Sequence, residues 1–393
     1  MSCTETWPQK SIAELGFVGR GKSRHRPRND PDLYGGPYPF IQTANISSSN
    51  LYINSYSQTY SEKGLAQSKL WEPNTLCIVN AGVNTGDNAI LNFRACFPDS
   101  VIAFIADPKQ ADVRYVKYWL DELKPRIRQV TMGATQDNLS VSKLTAFKIP
   151  VPPISVQARI SSVVSAYDDL IENNLRRIKI LEEMAQILYR EWFVKFRFPG
   201  HEQVRMVDTP LGKIPEGWEF QNLGGVVELV YGKALKKSDR REGAVPVYGS
   251  SGIVGYHDKP LTTGPGIIVG RKGNVGSVFW SYEDFYPIDT VYFVRSDLPL
   301  HYVYYNLLQQ NFINNDAAVP GLNRNQAYSL PLLIPTAAIL QKFSNFIEPL
   351  FSQTRNLRIR NQNLRQTRDL LLPKLISGEL DVSELGIEIG EAA

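Results

Sequence analysis

The clearest pattern along the chain is a stretch of 41 residues without Gly or Pro, from Gln157 to Arg197, in which apolar residues recur at spacings of four and three. Ile160, Val164, Tyr167, Ile171, Ile178, Leu181, Ala185, Leu188 and Trp192 mark it, which is the seam of a long helix sustained over more than four heptads. The seam position between Ile171 and Ile178 is Asn174, a polar residue that lowers stability and fixes register. A second seam near the end reads Phe343, Ile347, Leu350, Thr354, Leu357, Asn361, Leu364, Arg368, Leu371 and Leu375, which is the first shifted by 183 residues. Pro349 and Pro373 interrupt it, so a kink or break is expected near each. A helix of this length cannot bury its stripe alone. The obvious partner for each is the other, as an antiparallel pair.

Ahead of each helix the pattern changes to short β-like runs with turn residues between them. PYPFIQTANI (37–46), LCIVNAG (76–82) and NAILNFRA (88–95) come before the first, and AVPVYGSSGIVGY, GIIVG, VGSVFW and TVYFV before the second. Asn84-Thr85-Gly86 and Asn274-Val275-Gly276 read as hairpin turns, where Gly tolerates positive φ. Each module closes with a short amphipathic helix, VRYVKYWLDEL or HYVYYNLLQQ.

These parallels extend to an internal repeat. Trp7 and Gly21-Lys22 recur as Trp218 and Gly232-Lys233 at an offset of 211. CIVNAGVNTGDNAI (77–90) lies over IIVGRKGNVGSVFW (267–280) at 190, RYVKYWL (114–120) over HYVYYNL (301–307) at 187, and Gly133 over Gly321 at 188. One match is weak; several in the same order are strong. The fold expected is α+β: two repeated modules separated by two long antiparallel coiled-coil helices. The boundaries expected are residues 1–152 for the first module, 153–199 for the central helix and 200–335 for a linker and the second module. The C-terminal helix then spans 336–378 and a tail 379–393.

Charge changes the picture locally. GFVGRGKS (16–23) satisfies the P-loop pattern G-x-x-x-x-G-K-[ST], which would place Lys22 on a phosphate and the Ser23 hydroxyl on magnesium. That loop needs a helix after it. Pro27, Pro31 and Pro37, with Gly35 and Gly36, leave no room for one beyond about a turn. In the second copy Gly16 and Ser23 become Val227 and Ala234, whereas the charge is kept. Arg20, Lys22, Arg24, Arg26 and Arg28 are answered by Lys233, Lys236, Lys237, Arg240 and Arg241. A basic loop gripping a phosphate backbone is the better reading, against a merely solvated loop. Arg271 and Lys272 join Arg20, Lys22, Arg24, Arg26, Lys233 and Lys236 as candidate DNA contacts. Arg355, Arg358, Arg360 and Arg365 on the second helix, and Glu172, Arg176, Arg177, Lys179, Glu182 and Glu183 on the first, mark either a solvated face or a docking surface for partner helices.

Bulk composition adds little. The net charge is +4 over 393 residues, so no argument for a polyanion partner follows from the whole chain. Cys3, Cys77 and Cys96 sit at unrelated spacings that suggest neither a disulfide framework nor a zinc site. His25, His201, His257 and His301 are scattered and read as surface or packing residues. No apolar run approaches the roughly 20 residues of a membrane span, and no signal-peptide pattern is present, so a cytoplasmic protein is expected.

The arrangement resembles the specificity subunit of type I restriction-modification enzymes. The residues carrying the resemblance are LYREWFVKFRFPGHE (188–202), PLGKIPEGWE (210–219) and RDLLLPKLISGEL (368–380), with GATQDNL (133–139) and IPVPPISVQ (149–157). The second copy departs, with GLNRNQAY and IPTAAILQ in place of the last two, so a role for Gln136 and Asn138 does not carry to Arg324 and Gln326. The resemblance implies a non-catalytic subunit with two target-recognition domains, each reading one part of a split site in double-stranded DNA. It implies that the helices dock methyltransferase subunits, two of them, and that restriction subunits join. S-adenosylmethionine, ATP and magnesium would belong to those partners and none to this chain. No N-P-P-F, D-P-P-Y or D-E-A-x motif is present. A helix of about 35 residues is roughly 50 Å long, and DNA half-sites one turn apart are separated by roughly 34–36 Å, so the scale suits a spacer. A coiled-coil adaptor that binds only protein is the alternative; it would show no salt-dependent DNA binding.

Overall fold

The structure is a computed structural model in which residues 7–132, 138–312 and 321–382 are described. The chain divides into two compact units, residues 1–173 with 360–393, and residues 174–359. Each unit therefore takes part of each long helix.

The first unit is built on a five-stranded sheet. Its strands lie in the spatial order Gly16–Arg20, Val101–Ala106, Leu76–Val79, Asn88–Leu91 and Tyr52–Ile53. A four-stranded sheet follows the order Gln58–Tyr60, Tyr34–Phe40, Ala95–Cys96 and Leu70–Trp71, and Gln9–Ser11 pairs with Lys148–Pro150. The second unit repeats the plan with fewer strands. Val227–Tyr231, Val291–Ser296, Gly266–Gly270 and Val278–Ser281 form one sheet, and Gly252–His257, Val245–Gly249 and Tyr286–Pro287 another. Glu219–Asn222 pairs with Pro331–Ile334. The apolar runs of both main sheets are buried on both faces, as the uninterrupted hydrophobicity of LCIV and GIIVG requires.

One hydrogen bond shows how closely the copies correspond. The Tyr115 hydroxyl donates to the Pro150 carbonyl at 2.8 Å, and the Tyr302 hydroxyl donates to the Leu333 carbonyl. Both tyrosines are fully buried and sit at matching positions of the closing helices. This bond ties each helix to the strand that leads into a long helix.

Four expectations change. The structure realigns the copies near their ends: Leu139 N donates to the Asn80 carbonyl at 2.7 Å and Leu322 N to the Arg271 carbonyl at 2.8 Å. Ser140 and Asn323 each cap a six-residue helix, Val141–Ala146 and Arg324–Ser329. The offset there is 183, the same as for the helix seams, so Asn138 corresponds to Gly321 and not to Gln326. The pairing of Gly133 with Gly321 and any role of Gln136 lie outside the described residues. Second, the closing helix of the first module is not short: Val113–Met132 runs through Pro125. Leu123 and Ile127 are buried on one side of it, and Lys124 and Arg128 reach Asp87 at 2.5 and 3.2 Å, holding the turn that the proline weakens. Third, the run 37–46 is not all strand, because Thr43–Ser47 turns helical. Fourth, neither proline breaks the last helix, which is continuous over Ala337–Ser377. Both prolines are exposed, while Ile347, Phe351, Leu372 and Leu375 beside them are buried, so packing outweighs one lost backbone hydrogen bond.

The first long helix spans Ile154–Tyr189 and passes into a π-helical turn, Arg190–Val194. Gln157 secures its start: the side chain accepts from Asp112 N at 3.0 Å and donates to the Pro152 and Gln110 carbonyls. The second long helix ends at Gly378, whose φ of +78° is a left-handed cap that a side chain would strain. Leu380 N closes that cap on the Lys374 carbonyl at 3.0 Å.

The two helices run antiparallel in both units. In the first, Arg368 pairs with Asp168 and the Asn361 amide donates to the Ile171 carbonyl at 3.3 Å. In the second, Arg358 pairs with Glu182 at 2.7 Å, and the rings of Trp192 and Phe343 lie 5.9 Å apart. Ile160, Val164, Ile171, Asn174, Ile178, Ala185 and Trp192 are buried, as are Phe343, Ile347, Thr354, Leu357, Asn361 and Leu375. Tyr167, Leu181, Leu188, Leu350, Leu364, Arg368 and Leu371 are half-buried. Asp168, Tyr189, Phe351, Leu372 and Ile376 are buried as well, because each helix also packs against its module and needs a stripe wider than a two-helix seam.

Candidate nucleic-acid interface

The stretch that imitates a P-loop is an edge strand and its exit. Gly16–Arg20 pairs along Val101–Ala106, and Gly21 N and Lys22 N then donate to the Val101 and Phe97 carbonyls at 2.9 and 3.1 Å. Those amides are therefore committed to backbone and are not free to wrap a phosphate. A Cβ on Gly21 would lie 2.1 Å from the Pro98 carbonyl, which accounts for the glycine. The second unit repeats this: Gly232 N and Lys233 N donate to the Val291 and Pro287 carbonyls at 3.2 and 3.1 Å, and a Cβ on Gly232 would lie 2.1 Å from the Ile288 carbonyl. After Lys22 the chain continues without a helix to a single 3-10 turn, Pro31–Leu33. The recurring Gly-Lys is a close backbone approach that launches a lysine from the same sheet corner in both copies.

The flanking cations divide into committed and free groups. Arg26 donates to the Ser23 and His25 carbonyls of its own loop, and Arg28 grips Asp99 at 2.9 Å. Arg240 donates to the Val254 carbonyl at 2.6 Å, and Arg241 meets Asp258 at 3.2 Å. Arg20, Arg24, Lys233, Lys236 and Lys272 are exposed, Lys22 half-exposed, and none of their side chains has an ion pair among the described residues. The loop of the first unit therefore holds Arg20, Lys22 and Arg24 as a sequential group. In the second unit, Lys233 is joined by residues from elsewhere in the sequence.

That convergence follows from sheet register. Tyr231 and Val269 both lie opposite Tyr292, on its two sides, so the strands Val227–Tyr231 and Gly266–Gly270 end at one edge. Lys233 leaves one strand there, and Arg271 and Lys272 leave the other. Arg271 donates twice to the Asp289 carbonyl, at 3.1 and 2.6 Å, and its guanidinium lies 5.3 Å from the Tyr231 ring. Arg324 lies 5.2 Å from the same ring and 5.8 Å from that of Tyr328. In the first unit Lys69 lies 3.8 Å from the ring of Trp71 and 5.4 Å from that of Phe17, itself 53% exposed. Neither aromatic grouping is visible as a motif, because its members come from separate strands and loops.

Two of the segments that carry the resemblance pack together. Tyr189, Trp192, Phe193 and Phe198 of LYREWFVKFRFPGHE are buried with Trp218 of PLGKIPEGWE in one cluster, Phe198 stacking on Trp218 at 5.2 Å. The pattern of the type I restriction modification DNA specificity domain matches residues 4–183 and 215–366. The chain belongs to that family. The type I restriction enzyme MjaIX specificity subunit of Methanocaldococcus jannaschii is 26% identical over 96% of this chain and 94% of its own length. The HindI specificity subunit of Haemophilus influenzae is 20% identical over 63% of this chain and 72% of its own. A crystal structure of a type I restriction-modification S subunit from M. genitalium superposes with a TM-score of 0.61 over 95% of this chain and 97% of that one, at 18% identity, and so shares the fold. As a specificity subunit, the chain is the non-catalytic member of a type I system.

One surface escapes a reading of the sequence alone. Ile180, Met184 and Ile187 on the first long helix are about half exposed, at the 4-and-3 spacing of a second apolar stripe beside the seam. The spacing is present in the sequence, but the seam residues mask it. Among the described residues no group of His, Cys, Asp and Glu is placed to hold a metal ion, and no helix is long and apolar enough to cross a membrane.

Proposed function

We propose that each module of this specificity subunit reads one part of a split double-stranded DNA site, and that the two long helices set the gap between the parts. The observation that supports it most is the repeated sheet corner, where Gly21-Lys22 and Gly232-Lys233 leave through the same backbone hydrogen bonds with unpaired lysine side chains. Lysines so held are positioned for DNA phosphates, and counterion release then makes affinity fall steeply with salt. The first long helix alone, 36 residues, is roughly 54 Å long, more than one DNA turn. The exposed stripe of Ile180, Met184 and Ile187 docks an apolar helix of a methyltransferase subunit, completing a larger bundle. S-adenosylmethionine, ATP and magnesium act on the partner subunits, and restriction subunits join through them. The setting proposed is the cytoplasm.

The test is selection from a randomised duplex library by the full-length chain, with its methyltransferase partner present. Two separated blocks of fixed bases are expected, with binding that weakens as salt rises. Salt-insensitive binding, or none, would favour the adaptor reading. The docking stripe is tested directly by Met184→Asp, which should abolish co-purification of the methyltransferase while leaving the fold intact.

A further inference from the structure

We propose that Arg324 is a specificity-determining residue of the second module and that it reads a guanine in the DNA major groove. The inference rests on the DNA-reading function proposed above and assigns that function to one side chain and one base. Arg324 and Arg271 share the ring of Tyr231, which is 49% exposed, but they are held differently. Arg271 spends Nε and Nη2 on the Asp289 carbonyl and is fixed in place. Arg324 is held only through ring faces, those of Tyr231 and Tyr328, and its guanidinium has no hydrogen bond or ion pair among the described residues. These two cation–π contacts restrict where the guanidinium lies while leaving its donors available. That is the state required for bidentate donation to the O6 and N7 of guanine, and a fork so restricted loses less freedom on binding.

The surroundings suit the same ligand. Lys233 and Lys272 leave the same sheet edge with unpaired ammonium groups, which suits sequence-independent contact to the flanking phosphates. The Tyr328 hydroxyl accepts a hydrogen bond from Leu229 N at 2.9 Å, so this tyrosine serves as a fixed platform. The first module cannot make the same contact: by the hydrogen-bond correspondence of the copies, Arg324 falls opposite Val141, and Tyr231 opposite Arg20. Only one half-site should therefore depend on this arrangement.

The experiment compares the full-length chain with Arg324→Lys and Arg324→Ala variants in the same duplex-library selection, with a thermal melt of each variant. Arg324→Lys keeps the charge but loses the planar fork, so it distinguishes reading from attraction. The expected result is a guanine at one position of one half-site in the parent chain, with discrimination there reduced roughly 10- to 100-fold in both variants. The other half-site should keep its profile. Equal weakening on every sequence would make Arg324 a phosphate contact and overturn the proposal, as would an unchanged profile. A parent chain that selects no sequence would overturn the DNA-reading function itself, an outcome distinct from either of these. If Arg324→Ala melts early, the Arg324→Lys profile decides alone.

Discussion

The two units solve one packing problem with opposite chemistry. In the first, Tyr118 of the closing helix donates to Asp168 of one long helix at 2.7 Å, and Asp168 pairs with Arg368 of the other. Asp168 is only 3% exposed. Burial, followed by the Asp168 charge, pushes the Tyr118 hydroxyl far above its usual range. The corresponding positions of the second unit are Tyr305, Phe351 and Ala185, all buried and all without charge. Phe351 instead gathers Trp280 at 4.9 Å, His301 at 4.4 Å and Tyr305 at 6.1 Å. Even His301 follows the pattern: its counterpart in the first unit is Arg114, paired with Asp112 at 2.9 Å. Duplication thus preserved the backbone plan while one joint became ionic and the other aromatic. A fold of this kind constrains the volume and direction of a joint more tightly than its polarity.

The largest effects should come from breaking each joint. Phe351→Ala should cost about 3–5 kcal/mol, because a large buried ring leaves a cavity. Asp168→Ala should cost about 1–3 kcal/mol, since the buried Tyr118 hydroxyl would lose its acceptor, while Arg368 would keep Asp369 at 2.8 Å. Urea midpoints of the full chain measure both. Exchanging the whole ionic joint for an apolar one, with Tyr118→Phe, Asp168→Phe and Arg368→Ala together, should cost less than Asp168→Ala alone, because buried ion pairs contribute little net stability over apolar packing. A triple variant as damaged as the single one would show that the ionic joint is required for its charges.

A middle-sized effect separates the joints by pH. Burial lowers the pKa of His301 to about 4, below the roughly 6.5 of an unfolded histidine. Between those values the unfolded chain takes up a proton that the folded chain refuses, so stability is present at neutral pH and falls as the solution is acidified. From pH 7 to 5 the loss should be about 1–2 kcal/mol, and a His301→Phe variant should lack that part of the slope. An identical slope in the variant would remove His301 from the account. The smallest effect is expected at the exposed Arg355–Glu283 pair, 2.8 Å long. Arg355→Ala should shift stability by less than about 1 kcal/mol, and less still in high salt.

The long helices, the repeat and the paired glycine-lysine corners were legible because each leaves a periodic or recurring mark in the sequence. The joints were not. Asp168 and Phe351 lie one position off their seams, and Tyr118 meets Asp168 across 50 residues, so no local pattern announces them. The copy alignment near Gly321 failed for a related reason. Residue letters set Asn138 against Gln326, whereas the correspondence that holds is made by the Leu139 and Leu322 amides and by two different capping residues, Ser140 and Asn323. The meeting of Arg271 and Arg324 at the Tyr231 ring is likewise assembled by the fold from three distant segments. Pro349 and Pro373 mislead locally because tertiary packing on the buried face overrides them.

The most direct test of two readers on one helical spacer is to delete a matched heptad from each long helix and repeat the library selection. The bases fixed in each half-site should stay the same while the unread gap between them changes length. A gap that stays constant, or half-site bases that change with helix length, would contradict the account.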